Sequence, residues 1–323
     1  MPTSEERRKE EEERRRRLFC LARAKRAPRY RPVMYPQRFH ALGLLGGGGG
    51  DDDGDDDIED AGKEEIGRVH SVDTFTAVDG HGIRCIVFLQ GCRKRCAFCC
   101  NVDSTDAAAA RPDAPGARTR ASDILDILRR NRKYYAASGG GLTLSGGECL
   151  LQPRFVAALA RGARELGLTT AIDTAAWGDE TTWSVALPDV DIALLCVKST
   201  NEEKYRRITG TDGNEYETMR AFLRELDRRK IATWLRFVLM TDEDEKFDAF
   251  RTNDEAELRG LAELAKSHEC VRGIELLPYH RFGEYKFAEL GLEYPLRGMS
   301  TPSAAEISRA VHLLQSEGVT VIF

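Results

Sequence analysis

From Gly67 onward the chain repeats one arrangement, a short apolar run followed by a helical stretch. The runs are "IRCIVFLQ" (Ile83–Gln90), "LTLS" (Leu142–Ser145), "TTAIDT", "DIALLCV", "ATWLRFVLM" and "GIELLP". Each reads as a buried strand. Between them "ASDILDILRRNRKYY", "PRFVAALARGARELG" opening on Pro153, "EYETMRAFLRELDRRK" and "DEAELRGLAELAKSH" have helical periodicity. Strands that alternate with helices build a parallel sheet with right-handed crossovers. Six such runs are too few for an eight-fold barrel and enough for a partial one. The expected class is therefore α/β, a partial (β/α)6 TIM-like barrel. Ligands of such barrels gather at the carboxyl ends of the strands. Polar residues collect at those ends here: cysteines after the first run, "SGGE" after the second, "DT" closing the third, "CVK" the fourth and "PYH" the sixth.

Residues 1–65 read differently. "EERRKEEEERRRRLFCLARAKR" places Glu10 to Glu13 four residues before Arg14 to Arg17, the favourable order for helical ion pairs. "GGGGG" at Gly46–Gly50 and "DDDGDDD" at Asp51–Asp57 cannot bury a core and read as a flexible linker. The expectation is a charged, Gly/Asp-rich disordered extension over 1–65, partly helical, ahead of a catalytic domain over 66–323. Its arginines suit organellar import, but its glutamates do not. A separate reading makes its helix an interaction module.

A net charge of −5 argues against a nucleic-acid binder held by phosphate contacts. No apolar run approaches the length of a membrane span. Nine cysteines, an odd number, do not form a disulfide framework in a chain of 323 residues. A reducing, cytoplasmic setting and a metal or redox role are expected. Cys20, Cys85, Cys149, Cys196 and Cys270 default to buried or idle thiols.

Four cysteines crowd into "GCRKRCAFCCN" (Gly91 to Asn101), where Cys92, Cys96 and Cys99 are spaced C-x3-C-x2-C and Cys100 follows directly. Structural zinc takes four closed ligands. Cys100 would have to be the fourth, although adjacent side chains rarely point at one ion. A cubane iron–sulfur cluster can be held from one compact loop, and three thiolates leave one iron open. The basic run Arg93–Arg95 reads either as a solvated loop or as a docking patch for a partner or electron donor.

The loop resembles that of the radical S-adenosylmethionine (AdoMet) enzymes, and the chain is similar to the family of pyruvate formate-lyase activating enzymes. "TAVDGHGIR" leading into "FLQGCRKRCAFCCN", then "GGGLTLSGGECLLQP", "AIDT", "WLRFVLMTD" and "IELLPYHRFGEYKF" carry the resemblance over about Gly67 to Phe323.

The resemblance implies one [4Fe-4S] cluster on Cys92, Cys96 and Cys99, with AdoMet chelating the fourth iron. It implies that Phe98 lies near the adenine, although packing within the loop accounts for an aromatic there equally. Gly146, Gly147 and Glu148 of "SGGE" match the segment that receives the AdoMet amino group, and glycines permit close backbone approach. Arg236 matches an AdoMet contact; an arginine inside an apolar strand must be paired or functional. Lys198 and His280 match residues near the same ligand. Asp173 and Thr174 match a monovalent-cation site whose second aspartate is replaced here by Cys196, a poor ligand for an alkali cation. Cys100 stands where a histidine is usual, and His81 and Cys149 stand where prolines are usual.

The implied chemistry is reductive cleavage of AdoMet to methionine and a 5′-deoxyadenosyl radical, which takes a hydrogen from a glycine of pyruvate formate-lyase, the glycyl-radical partner. A flavodoxin or ferredoxin-type donor would supply the electron. Two alternatives stand beside this: an activase of another glycyl-radical enzyme, and a non-catalytic relative holding zinc. No cysteine lies between Cys100 and Cys149, which fits a single cluster rather than one with auxiliary clusters.

Overall fold

A computed structural model describes residues 64–105 and 117–322. The expected extension, apart from Glu64 and Glu65, lies outside the described residues. Strands β1 (Ile66–Thr76), β2 (Arg84–Leu89) and β3 (Ala117–Arg120) come first, followed by helix α1 (Ala121–Ser138). Then β4 (Gly141–Gly146), α2 (Pro153–Glu165), β5 (Thr169–Thr174), α3 (Glu180–Ala186), β6 (Ile192–Cys196), α4 (Glu202–Thr209) and α5 (Glu215–Arg229) alternate along the chain. The chain continues through β7 (Ala232–Leu239), α6 (Glu255–Lys266), β8 (Val271–Pro278), α7 (Glu284–Glu289), α8 (Ala304–Ser316) and β9 (Val321–Ile322).

The strands form one sheet in the order β3-β1-β2-β4-β5-β6-β7-β8-β9. From β2 to β8 every neighbouring pair is parallel, and those six strands coincide with the six apolar runs. Their order in the sheet is their order in the chain. Right-handed crossovers then put every linking helix on the same face, and a twisted sheet covered on one face curls toward a barrel. The partial-barrel expectation holds.

Three strands were not expected. β1 pairs antiparallel with β2, and β3 antiparallel with β1, while β9 adds two residues beside β8. β1 reads "IGRVHSVDTFT" and buries only two of its positions, so it lacks the continuous apolar signal of a strand covered on both faces. β3 is "ARTR", with no large apolar residue.

Two apolar clusters organise the interior. The larger joins strand residues such as Leu142, Leu144, Leu195, Leu235 and Ile274 to helix residues such as Val156, Leu159 and Phe222. The smaller gathers Ala97 and Val102 of the cysteine segment with Met240 after β7, Tyr279 after β8 and Phe287 on α7. This second cluster fixes the cysteine segment over the carboxyl ends of the strands.

Candidate functional site

The cysteine segment leaves β2 through Gly91, whose φ of +113° is open to glycine without strain. Its ends are closed by backbone hydrogen bonds. Gly91 N–H donates to the Ser104 carbonyl at 2.8 Å, and Glu148 N–H donates to the Gly91 carbonyl at 2.7 Å. Its middle is clasped to the end of α4, where Arg95 N–H donates to Thr209 at 2.7 Å and Ala97 N–H to Ile208 at 2.8 Å. Cys92, Cys96 and Cys99 are free and partly buried, and Cys100 is free and exposed. Burial, with Cys96 nearby, pushes the Cys92 thiol up to about 12. Burial likewise raises Cys99, and Cys100 and Cys96 add to the effect. Without a compensating cation the Cys92 and Cys99 thiols are neutral; thiolate ligation requires a metal charge beside them. Among the described residues no three His, Cys, Asp or Glu side chains are gathered closely enough for a single metal ion.

The basic run is solvated at Arg93 and Arg95 but not at Lys94. Lys94 is buried and its Nζ donates to the Ala176 carbonyl at 3.1 Å. Arg93 lies 5.0 Å from the centroid of the Trp177 ring, and Arg95 donates to the Cys92 carbonyl at 2.8 Å. The run braces the loop against the segment after β5.

Both glycines of "SGGE" are demanded by packing. A side chain at Gly146, at φ +113°, would enter the Leu89 backbone. One at Gly147 would enter the Gly91 carbonyl and come within 2.8 Å of the Ser104 carbonyl. The Glu148 carboxylate is buried and accepts from Leu150 N–H at 3.1 Å, Ala175 N–H at 2.9 Å and the Thr174 hydroxyl. It ties the exit of β4 to that of β5.

Asp173 is the hub of the next group. Its Oδ2 accepts from Ser145 at 2.8 Å and lies 3.3 Å from Arg236, and its Oδ1 accepts from the Cys196 thiol at 3.6 Å. Arg236 also pairs with Glu275 at 2.5 Å and Asp79 at 3.0 Å, and donates to the Val78 carbonyl at 3.1 Å. Burial works against the Arg236 charge, but Asp173, Glu275 and Asp79 outweigh it and hold its pKa above the ordinary arginine value. Burial raises both Asp79 and Glu275 despite Arg236. Asp79, Glu275 and Ser145 were not singled out from the sequence. Glu275 was findable: it is the acidic residue of the apolar strand "VRGIELLP", and Arg236 and Glu275 are register partners in β7 and β8.

Lys198 and Phe98 come together, with Nζ 5.1 Å from the ring centroid. Burial lowers the Lys198 pKa, but Cys196, Cys96, Tyr205 and Asp173 outweigh it and the net shift is upward. Burial raises the Cys196 thiol to about 12. Cys149, fully buried, turns its thiol to the Asp173 carbonyl at 3.7 Å. His280 makes its contacts with Phe282: the rings pack at 4.5 Å, and Phe282 N–H donates to Nδ1 at 3.3 Å. Burial lowers the His280 pKa.

Among the described residues no helix is long and apolar enough to cross a membrane. Residues 78–186 match the family model described as a 4Fe-4S single cluster domain. The chain is 36% identical over 232 residues to the pyruvate formate-lyase-activating enzyme of Clostridium pasteurianum, covering 72% of this chain and 90% of that protein. It is 31% identical over 260 residues to pyruvate formate-lyase 1-activating enzyme of Escherichia coli (strain K12), covering 80% and 99%. A radical SAM methyltransferase from Sphaerobacter thermophilus superposes with a TM-score of 0.51 at 15% identity, covering 74% of this chain and 65% of that one, a likeness of fold. The cysteine segment at the exit of the first parallel strand, the matched cluster domain and these identities together place the chain in one family: it belongs to the pyruvate formate-lyase-activating enzymes of the radical S-adenosylmethionine superfamily.

Proposed function

We propose that this chain activates a pyruvate formate-lyase by generating a glycyl radical on it. The observation that carries the reading is the three-thiol loop at the exit of β2, closed onto "SGGE" through the Glu148 N–H and Gly91 carbonyl. The donor set fits a [4Fe-4S] cluster: three free, partly buried thiols on one loop, with Cys92 and Cys99 raised by burial so that their ionisation needs a nearby cation. When bound, the cluster and AdoMet supply one-electron reduction of a sulfonium and the hydrogen abstraction that leaves a radical on a glycine of the partner.

The chain's own residues then have these roles. Cys92, Cys96 and Cys99 hold the cluster. Phe98 and Lys198 form a paired wall near the adenosine. The Glu148 carboxylate is occupied by three internal donors, so reception of the AdoMet amino group falls on the backbone of Gly146 to Glu148. Arg236 contacts AdoMet from a frame of three carboxylates, and His280 lies near the ribose. The monovalent cation finds poor donors. Both Asp173 oxygens are engaged, the Thr174 hydroxyl is given to Glu148, and the neighbour at position 196 is a thiol. Asp173 therefore serves Arg236 rather than a cation.

The absence of cysteine between Cys100 and Cys149 favours this single-cluster reading over activation of another glycyl-radical enzyme. The electron comes from a flavodoxin or ferredoxin-type protein. The test is anaerobic incubation of the reconstituted, reduced protein with AdoMet and pyruvate formate-lyase. A glycyl-radical signal that requires AdoMet is expected. Cleavage of AdoMet with no radical on the lyase, but with one on another glycyl-radical enzyme, overturns the choice of partner.

A further inference from the structure

We propose that the Tyr205 hydroxyl donates a hydrogen bond to a sulfur of the cluster held at Cys96 and raises that cluster's reduction potential. This rests on the cluster reading above and goes beyond it, because no motif pointed to Tyr205.

Helix α4 opens on Asn201, whose side chain accepts from Lys204 N–H at 3.0 Å, and it ends at Gly210 in the left-handed region. Tyr205 is fully buried on this helix, its ring edge-on to Tyr216 at 5.6 Å. Its hydroxyl has no hydrogen-bond partner among the described residues. The other tyrosines packed inside are satisfied: Tyr135 donates to Thr74, Tyr216 to Thr200, and Tyr279 bonds Tyr294. A buried hydroxyl without a partner is uncommon in a native fold and points to a group bound in function.

The position of that group follows from the clasp described above. Arg95 and Ala97, on either side of Cys96, donate to Thr209 and Ile208, one turn beyond Tyr205 on the same helix. Cys96 is thereby fixed against α4. Burial raises the Tyr205 pKa, and Cys96, Glu148 and Cys196 add to the rise while Lys198 opposes it. The phenol is thus a neutral donor set among the groups of the site. Of the charged and sulfur groups that act on the phenol, three are unsuited to accept from it. The Glu148 carboxylate is taken by Leu150, Thr174 and Ala175. Lys198 has only donors. The Cys196 thiol is turned to Asp173. Sulfur at Cys96, which the clasp holds against the same helix, is the acceptor among them that is left. Hydrogen bonds to cluster sulfur favour the reduced, more negative state and are one of the protein's means of setting the potential.

The test uses the full chain, reconstituted with iron and sulfide and titrated without AdoMet, the reduced cluster being read by electron paramagnetic resonance. Tyr205→Phe removes only the hydroxyl. At a fixed potential its reduced-to-oxidised ratio is expected to fall about tenfold, a downward shift of about 59 mV for a one-electron couple. Tyr216→Phe, which removes a hydroxyl satisfied elsewhere, is expected to leave the potential unchanged. The ligand-free Tyr205→Phe protein should melt no lower than wild type, since the lost group had no protein partner. If Tyr205→Phe fails to take up a cluster, 3-fluorotyrosine at position 205 carries the test. Its more acidic hydroxyl strengthens the bond and must raise the potential. An unchanged potential in a cluster-bearing Tyr205→Phe or fluorotyrosine protein overturns the proposal and leaves the functional reading standing. A wild-type chain that takes up no cluster overturns both.

Discussion

The ammonium of Lys198 sits 5.1 Å from the centroid of the Phe98 ring. One residue follows β6 and the other lies within the cysteine segment, so this contact links two strand exits 100 positions apart in the chain. A cation over an aromatic face contributes about 0.5–2 kcal/mol, more when desolvated. A double-mutant cycle on Phe98→Leu and Lys198→Met, followed by urea unfolding, is expected to return a coupling in that range. Additive single effects would show that the two side chains are neighbours without mutual stabilisation.

Arg236 is the positive centre of a group that holds Asp79, Asp173 and Glu275. Arg236→Met leaves three half-buried carboxylates without their cation, which costs about 3 kcal/mol of stability at neutral pH, the low end for a broken buried pair because the carboxylates keep some solvent. The loss should shrink on acidification. Burial raises the Asp79 and Glu275 pKa values, so the folded variant binds more protons than the unfolded chain above the ordinary carboxylate range. Stability then rises as pH falls through the raised values. Urea melts of both proteins between neutral pH and about pH 5 check the sign.

Gly147 and Cys100 should separate packing from ligation. The Cβ of Gly147→Ala would collide with the Gly91 carbonyl, displacing the loop that carries Cys92. Such overpacking costs about 1–3 kcal/mol, and the reconstituted protein should hold less iron than wild type. Cys100 is exposed, and Cys100→Ala should keep the full iron content. Loss of iron in Cys100→Ala would make it a ligand.

The thiol of Cys196 donates to Asp173, so no hard oxygen is offered beside it. AdoMet affinity is expected to be the same in potassium, sodium and tetramethylammonium salts at equal ionic strength. Cys196→Asp is expected to make binding depend on the alkali cation. A wild-type requirement for potassium or sodium contradicts the assignment of Asp173 to Arg236.

The parallel strands could be read from the chain because each is a short run with an apolar centre that alternates with a helical stretch. β1 could not, because it is half exposed and polar at many positions. The crowding of the cysteines was legible from spacing, while the choice of Cys92, Cys96 and Cys99 as ligands came with the family resemblance. The frame of Arg236 was not, because Asp79 lies 157 positions away and is brought in by the segment before β2. Lys94 was read as part of a charged loop, since nothing local marks it as buried. Tyr205 went unnoticed because its orphaned hydroxyl is a property of packing rather than of sequence.

The most direct test of the account is the electron paramagnetic resonance spectrum of the reduced, reconstituted protein with and without AdoMet, together with the products formed. A [4Fe-4S] signal that shifts when AdoMet is added, formation of methionine and 5′-deoxyadenosine, and loss of both on Cys96→Ala are expected. A colourless protein that contains zinc and leaves AdoMet intact would contradict it.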